Sequence, residues 1–494
     1  MYKKFLSVFS VICLLLCVAG CSSGGAMKGE FDMSNSMSPS DMSQEEYLEL
    51  QETGFISTEV NNKLNVSMDS SNAAYSNIRK RIELGYLPHK DSVNIEQMLN
   101  YFNYSYKNES DEQLQSFLEL SDCPWDSETK LLSVAIKAKD IEIENKKPSN
   151  FVFLLDVSGS MYSEDKLPLM INAFKLLIDN LDDNDRVSIV TYAGSEKVLL
   201  EGAYGYEKTK ISAIISDLEA GGSTAGSRGI KTAYELAEKY FIEGGNNRVF
   251  LATDGDFNVG INRPKELENF ISQKRQSGVY LSLFGFGTGN YHASTMDTLA
   301  QAGNGNHYYI DSILEAQKVF VSEIGGTLQT VAKDAKAQIE FNPEVVEKYR
   351  VIGYENKILT DEEFDNSETD AGEIGAGHAT ICLVEVKLRE GVNLEEEQLY
   401  ASCKLRYKDV LESELNKEVI NEVKKFQANA SADFYFASAV AEFGLYLRQS
   451  EFAQGANLDS VLANIQKGNY NGDPYKEEFY QLVLKAKEIE KEAE

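Results

Sequence analysis

Between residue 150 and about residue 331, short unbroken apolar runs alternate with stretches whose apolar residues recur at helical spacing. Few folds can satisfy that pattern. Residues 151–155 are continuously apolar and end in Asp156, after which Leu167, Met170, Ile171, Phe174, Leu177, Ile178 and Leu181 repeat with the period of a helix. Further strands are expected at residues 187–192, 198–200 (a short edge), 249–252, 280–286 and 307–310. Helices are expected at residues 211–218, 229–241, 264–274 and 295–301. A strand without polar alternation is buried on both faces, so the segment reads as α/β, a mostly parallel sheet with helices on both faces. In such sheets ligands bind beyond the carboxyl ends of the strands, where the strand order reverses.

The chain has 494 residues, enough for two to four domains at roughly 100–200 residues each. Residues 1–20 read as a signal peptide. Lys3 and Lys4 give a positive start, residues 5–18 form an apolar run too short to span a membrane, and Ala19-Gly20-Cys21 closes it with small residues. That ending resembles the lipobox of bacterial lipoproteins, with Val18 where Leu is commoner. The resemblance implies lipid on Cys21 and anchoring to a membrane of a bacterial cell envelope. Ser22, in place of an Asp, permits an outer-membrane or cell-surface destination. Residues 21–62, rich in Ser, Met, Gly and acids and without periodicity, read as a flexible tether.

Residues 63–147 read as an N-terminal flanking module. It is helical and aromatic-rich over residues 72–120 and ends in a half-buried strand at 131–143, where Leu132, Val134, Ile136 and Ala138 alternate. Residues 148–331 hold the α/β pattern. Residues 332–494 change character: strands near 337–341, 349–354, 380–387 and 399–407 suggest a β-sandwich-like module. Helices at 429–448 and from 474 to the end follow it, and residues 365–377, acidic and Gly-rich, read as a loop. With Cys13 and Cys17 in the signal and Cys21 lipidated, Cys123, Cys382 and Cys403 remain; Cys382 and Cys403 could pair or stay as buried thiols.

Three polar clusters coincide with the ends of the apolar elements. Asp156-Val157-Ser158-Gly159-Ser160 follows the first strand, Gly221-Gly222-Ser223-Thr224 precedes a helix, and Thr253-Asp254-Gly255 follows the strand at 249–252. Carboxylate and hydroxyl oxygens suit a hard divalent cation. Two carboxylates balance its charge, while neutral hydroxyls leave it inclined to take one more anionic oxygen from a partner. Asp156-x-Ser158-x-Ser160, Thr224 and Asp254, in this order and on these elements, closely resemble the metal-ion-dependent adhesion site of the von Willebrand factor type A domain. The resemblance covers about 180 residues. It implies a Rossmann-like sheet ringed by helices, with Mg²⁺ (Mn²⁺ or Ca²⁺ as alternatives) at its upper edge. Ser158 and Ser160 would then be direct ligands, Thr224 and Asp254 would bind directly or through water, and Asp156 would act mainly through water.

The flanks carry a second resemblance. Leu87-Pro88 with residues 93–102, residues 349–356, and Asp370-Ala371-Gly372-Glu373-Ile374-Gly375-Ala376-Gly377-His378 resemble the flanking modules of YfbK-like bacterial lipoproteins, which place a type A domain between an N-terminal segment and a C-terminal domain.

Charge and chemistry narrow the function. Lys and Arg number 48 against 78 Asp and Glu, for a formal net charge of −30, which argues against nucleic acid and against docking on anionic lipid through surface charge. His89, His292, His307 and His378 have no metal-ligand spacing. Gly285-x-Gly287-x-Gly289 lacks the rest of a dinucleotide fingerprint and reads as a turn near the metal loops, and the Asp182-Asp183-Asn184-Asp185 run reads as a solvated helix end. The expected activity is binding rather than catalysis: capture of a carboxylate offered by a protein, peptide or glycan partner. A metal-dependent hydrolase would need a general base, for which Asp256 is the candidate. An envelope scaffold with a vestigial metal site is a third reading.

Overall fold

The computed structural model describes residues 50–493 apart from 69–71, 141–146, 223–227, 256–260, 262, 288–291, 324–329, 368, 370 and 411–414. The signal peptide, Cys21 and most of the expected tether lie outside the described residues.

The chain begins with Ile56–Ser57 (β1) and Lys63–Ser67 (β2), the helices Ala73–Glu83 (α1) and Ile95–Tyr101 (α2), then Leu114–Asp122 (β3) and Lys130–Ala138 (β4). The middle supplies Ser149–Asp156 (β5), Leu167–Asp179 (α3), Arg186–Tyr192 (β6), Glu196–Tyr204 (β7), Lys208–Ser216 (α4) and Gly229–Lys239 (α5). Asn246–Thr253 (β8), Pro264–Arg275 (α6), Val279–Phe286 (β9), Ala293–Ala302 (α7), His307–Ile310 (β10) and Ile313–Gln317 (α8) complete it. Then come Thr330–Phe341 (β11), Val346–Ile352 (β12), Ile358–Leu359 (β13), Gly372–Gly375 (β14), Ala379–Leu388 (β15), Ala401–Asp409 (β16) and Leu415–Val423 (β17). Three helices close the chain: Ala432–Arg448 (α9), Leu458–Lys467 (α10) and Pro474–Ala493 (α11).

The middle segment is the expected α/β domain. Its sheet runs β10-β9-β8-β5-β6-β7, parallel throughout except for the antiparallel edge strand β7. All eight residues of β5 are buried, because both faces of the strand are covered. Phe151, Phe153 and Leu155 face a core shared with α3, α4 and α8, whereas Val152 and Leu154 face one shared with α5, α6 and α7. Phe153 stacks on Phe250 of the neighbouring strand with 5.9 Å between ring centroids, and Phe174 of α3 meets Phe153 edge-on at 4.8 Å. These rings form a stiff floor beneath the carboxyl ends of β5 and β8.

The flanks depart from expectation. They form one sandwich, not two modules in series. One sheet runs β1-β12-β15-β4-β3 and the other β13-β2-β11-β16-β17, so each mixes strands from both sides of the α/β domain. Leu64 of β2 pairs with Ile339 of β11, and Val134 of β4 pairs with Cys382 of β15. Residues 114–122, inside the stretch read as helical, are a strand, since Leu114 and Leu120 fill the sandwich core. β4 is buried on both faces rather than half-buried. Leu132, Val134, Ile136 and Ala138 point into the sandwich, while Leu131 and Ala135 pack under a helical layer. Within the loop expected at 365–377, β14 pairs with β11. Residues 50–62, read as the end of the tether, carry β1, and the Thr58 hydroxyl donates to the Val346 carbonyl at 2.7 Å. Cys382 and Cys403 are free thiols in the sandwich core, and burial pushes both up.

The helical layer likewise draws on both flanks. α1, α2 and α9–α11 share a core in which Phe102 touches Tyr75, Phe436 and Phe479 at ring-centroid distances of 4.9, 4.9 and 5.3 Å. Arg79 of α1 joins this layer to the α/β domain. Its guanidinium donates to Asp311 at 2.9 and 2.5 Å, to Glu315 and Glu478 at 2.8 Å each, and to the Tyr101 hydroxyl at 2.9 Å. Arg79, Asp311 and Glu315 are each about 1% exposed at the side chain. A buried carboxylate without its counter-charge is costly. Arg79→Met is therefore expected to destabilise the protein by about 3–5 kcal/mol, measured by denaturant unfolding, with a smaller loss for Asp311→Asn.

Candidate metal centre

The sheet order reverses between β5 and β8: β6 and β7 lie on one side, β9 and β10 on the other. Their carboxyl ends are therefore the predicted ligand position. Asp156 closes β5 and Asp254 follows β8. The register that pairs Leu155 with Ala252 sets them side by side.

Asp156 is fully buried and folds its own turn. Its Oδ1 accepts the Ser158 N–H at 2.8 Å, an Asx-turn that brings the Ser158 side chain round to the strand end. The Ser158 and Ser160 hydroxyls lie 3.0 Å apart, Ser158 buried and Ser160 exposed. The second loop docks onto this turn. Gly221 N–H donates to the Val157 carbonyl at 2.8 Å and Gly159 N–H to the Gly222 carbonyl at 3.4 Å. Gly222 sits at φ +83°, with Ala193 backbone close where a Cβ would be, so this approach needs glycine. Thr224 itself lies outside the described residues. In the third loop Gly255 N–H donates to the Thr253 hydroxyl at 3.2 Å, and Gly255 itself sits at φ +112°.

The structure thus brings Asp156, Ser158, Ser160 and Asp254 together and places Gly221-Gly222, just ahead of Thr224, against them. The donor set fits a hard divalent cation. It consists of oxygens, and Asp156 Oδ2 is buried and takes no part in the turn, the buried Tyr192 hydroxyl being the group that approaches the carboxylate. Burial pushes the Asp156 carboxyl up to about 6, opposed by hydrogen bonds from Ser158 and reinforced by the nearby Asp254 charge.

One residue of the centre has no counterpart in the sequence reading. Lys166, just before α3, reaches back so that its Nζ lies 2.8 Å from Asp254 Oδ2, with the two side chains 14% and 0% exposed. Its alkyl stem crosses Gly287, at φ +76° after β9, where a Cβ would lie 2.5 Å from two Lys166 carbons. Of the glycine pattern at 285–289, read as a turn near the metal loops, Gly287 makes this contact, Gly285 lies in β9 and Gly289 lies outside the described residues. Asp256, the candidate base, also lies outside them.

Other singled-out residues have structural work. Asp185 accepts from Ser149 N–H at 2.7 Å and Asp182 N–H at 2.8 Å, which ties the start of β5 to the turn before β6. His307 is buried and bonded to Asp297 at 3.0 Å. Among the described residues no helix is long and apolar enough to cross a membrane.

The raised Asp156 value makes a stability prediction for metal-free protein. A folded-state value of about 6 against an ordinary 3.8 means that ionisation costs more in the fold than in the unfolded chain. The penalty is absent at acid pH, grows as pH rises between these values and is complete above them. Asp156→Asn is expected to stabilise the protein by about 1–2 kcal/mol in chelator at pH 8 and by little at pH 4, as read by thermal unfolding.

Comparison with known proteins gives matches along most of the chain. The von Willebrand factor type A domain model matches residues 150–322, the model described as "Uncharacterized protein YfbK, C-terminal" matches residues 326–489, and a model described as von Willebrand factor matches residues 41–133. Escherichia coli (strain K12) YfbK is 40% identical over 448 residues, covering 84% of this chain and 76% of that protein. The Synechocystis sp. protein sll0103 is 29% identical over 190 residues, 38% of this chain and 44% of its own length. Bovine inter-alpha-trypsin inhibitor heavy chain H3 is 26% identical over 193 residues, 37% of this chain and 22% of its own. Among solved structures, a von Willebrand factor type A protein from Catenulispora acidiphila aligns with a TM-score of 0.42 at 16% identity, covering 74% of this chain and 89% of that one.

Proposed function

The chain belongs to the YfbK-like family of von Willebrand factor type A proteins, and on that footing we propose that it is a lipid-anchored binding protein of the bacterial cell envelope, capturing an acidic group of a protein, peptide or glycan through a divalent cation. Domains of this type mediate protein–protein interaction. Cys21 would carry the lipid, and residues 22–49 would hold the binding domain away from the membrane.

The observation that carries the reading is the pair of buried carboxylates at the switch point of the sheet, one of them with an oxygen left over from the turn that it folds. Ser158, Ser160, Thr224 and Asp254, with Asp156 behind them, would hold Mg²⁺. When bound, the cation supplies an open, electropositive position for one more oxygen. The serines bring neutral oxygens, so the site keeps enough positive charge to hold a ligand carboxylate. Asp156 fixes the turn that aims Ser158, and α3, pinned to the sheet by Phe174, fixes the far end of the same loop. The reading is one of capture without turnover.

An envelope pull-down in Mg²⁺ with wild-type protein and Asp254→Ala is the test. Partner capture is expected to be lost in EDTA and lost in the variant, while circular dichroism and thermal unfolding report an intact fold. Capture that persists unchanged in EDTA contradicts the proposal.

A further inference from the structure

The Lys166 side chain is held in place from three sides. Its ammonium meets Asp254 Oδ2 at 2.8 Å, and its stem runs over Gly287, where any larger residue would collide with it. Gly287 is itself fixed, because its carbonyl accepts the Tyr309 hydroxyl at 2.9 Å. The backbone of Lys166 leads directly into α3, which Phe174 anchors against Phe153. Lys166 therefore belongs to the same short loop as Ser158 and Ser160, with its charge directed at the carboxylate across the cleft rather than at solvent.

Asp254 can face a cation from two sources, a divalent ion or this ammonium. The two act on one carboxylate and repel each other. At separations of a few ångströms, beside a carboxylate that is itself buried, such repulsion changes affinity by about an order of magnitude. We propose that Lys166 is a built-in competitor for the divalent cation, neutralising Asp254 in the metal-free protein and setting how much divalent cation the site requires. The inference rests on the metal-site reading above and adds to it a threshold. Because Lys166 shares its loop with Ser158 and Ser160, exchange of the ammonium for the cation changes the charge on the element that presents the hydroxyl ligands.

Titration calorimetry with Mn²⁺ and Mg²⁺ on full-length mature protein tests this with K166M, K166Q and K166R. Removing the charge in K166M or K166Q is expected to tighten divalent binding about tenfold, whereas K166R stays within about threefold of wild type. Thermal unfolding gives a second readout. K166M and K166Q are expected to melt lower than wild type in chelator and to gain more from Mg²⁺. Affinity unchanged or weakened in folded K166M and K166Q overturns the inference. A measurement on wild-type protein does not depend on any variant folding: the Lys166 ammonium resonance is expected to shift in step with the Mg²⁺ isotherm, and a resonance unmoved at saturation overturns the competitor role. D254A separates the two levels. If wild type binds Mn²⁺, D254A does not and K166M is unchanged, only the competitor falls. If neither wild type nor any Lys166 variant binds Mn²⁺, the metal-site reading falls with it.

Discussion

Asp156 and Asp254 are held next to one another, out of water, by strands that pair rigidly through their length. The parallel pairing of β5 with β8 and the aromatic floor beneath set the two chain positions next to each other. Burying carboxylates at such a place raises the energy of the fold, which is visible in the elevated Asp156 value, to which the neighbouring Asp254 charge adds a smaller part. The chain offsets part of that energy with Lys166 and part with the Ser158 turn. What remains is a local demand for positive charge, and that demand is the physical basis of the proposed cation site.

The surrounding architecture keeps this arrangement stiff. A sandwich and a helical layer, each assembled from segments on both sides of the α/β domain, enclose the ends of its chain. Asp311 and Glu315 lie just past the last strand of the sheet and are fastened to the N-terminal flank by Arg79, which also reaches Glu478 near the C-terminus. The α/β domain is therefore an insertion in a composite support whose sheets and helical layer draw on both flanks.

Much of the α/β domain was legible because burial on both faces writes itself locally, as five or more apolar residues in a row. Residues 151–155 are such a run, and residues 280–286 are interrupted in it only by Ser282 and Gly285. The sandwich was less legible, because pairs such as Leu64 with Ile339 lie far apart in sequence and leave no local periodicity. β17 went unread because it is a charged edge strand, with Ile420 62% exposed. β3 was hidden by an aromatic-rich, helix-like stretch ahead of it. At the site, Asp156, Ser158, Ser160 and Asp254 were legible from their spacing relative to strand ends. Lys166 was not, since nothing local to a lysine before a helix says that it will fold back to an aspartate 88 positions on.

The overall charge of −30 takes on a specific meaning in this account. An acidic surface repels acidic partners at range, within roughly one Debye length. A cation at one sheet edge reverses the sign there alone, so an acidic ligand would be held at one point and turned away elsewhere. The most direct measurement is an anomalous difference map from crystals soaked in Mn²⁺. The account predicts a peak enclosed by Asp156, Ser158, Ser160, Thr224 and Asp254, absent from crystals of Asp254→Ala. No peak at that position in a fully soaked wild-type crystal, or a peak coordinated by other residues, would contradict it.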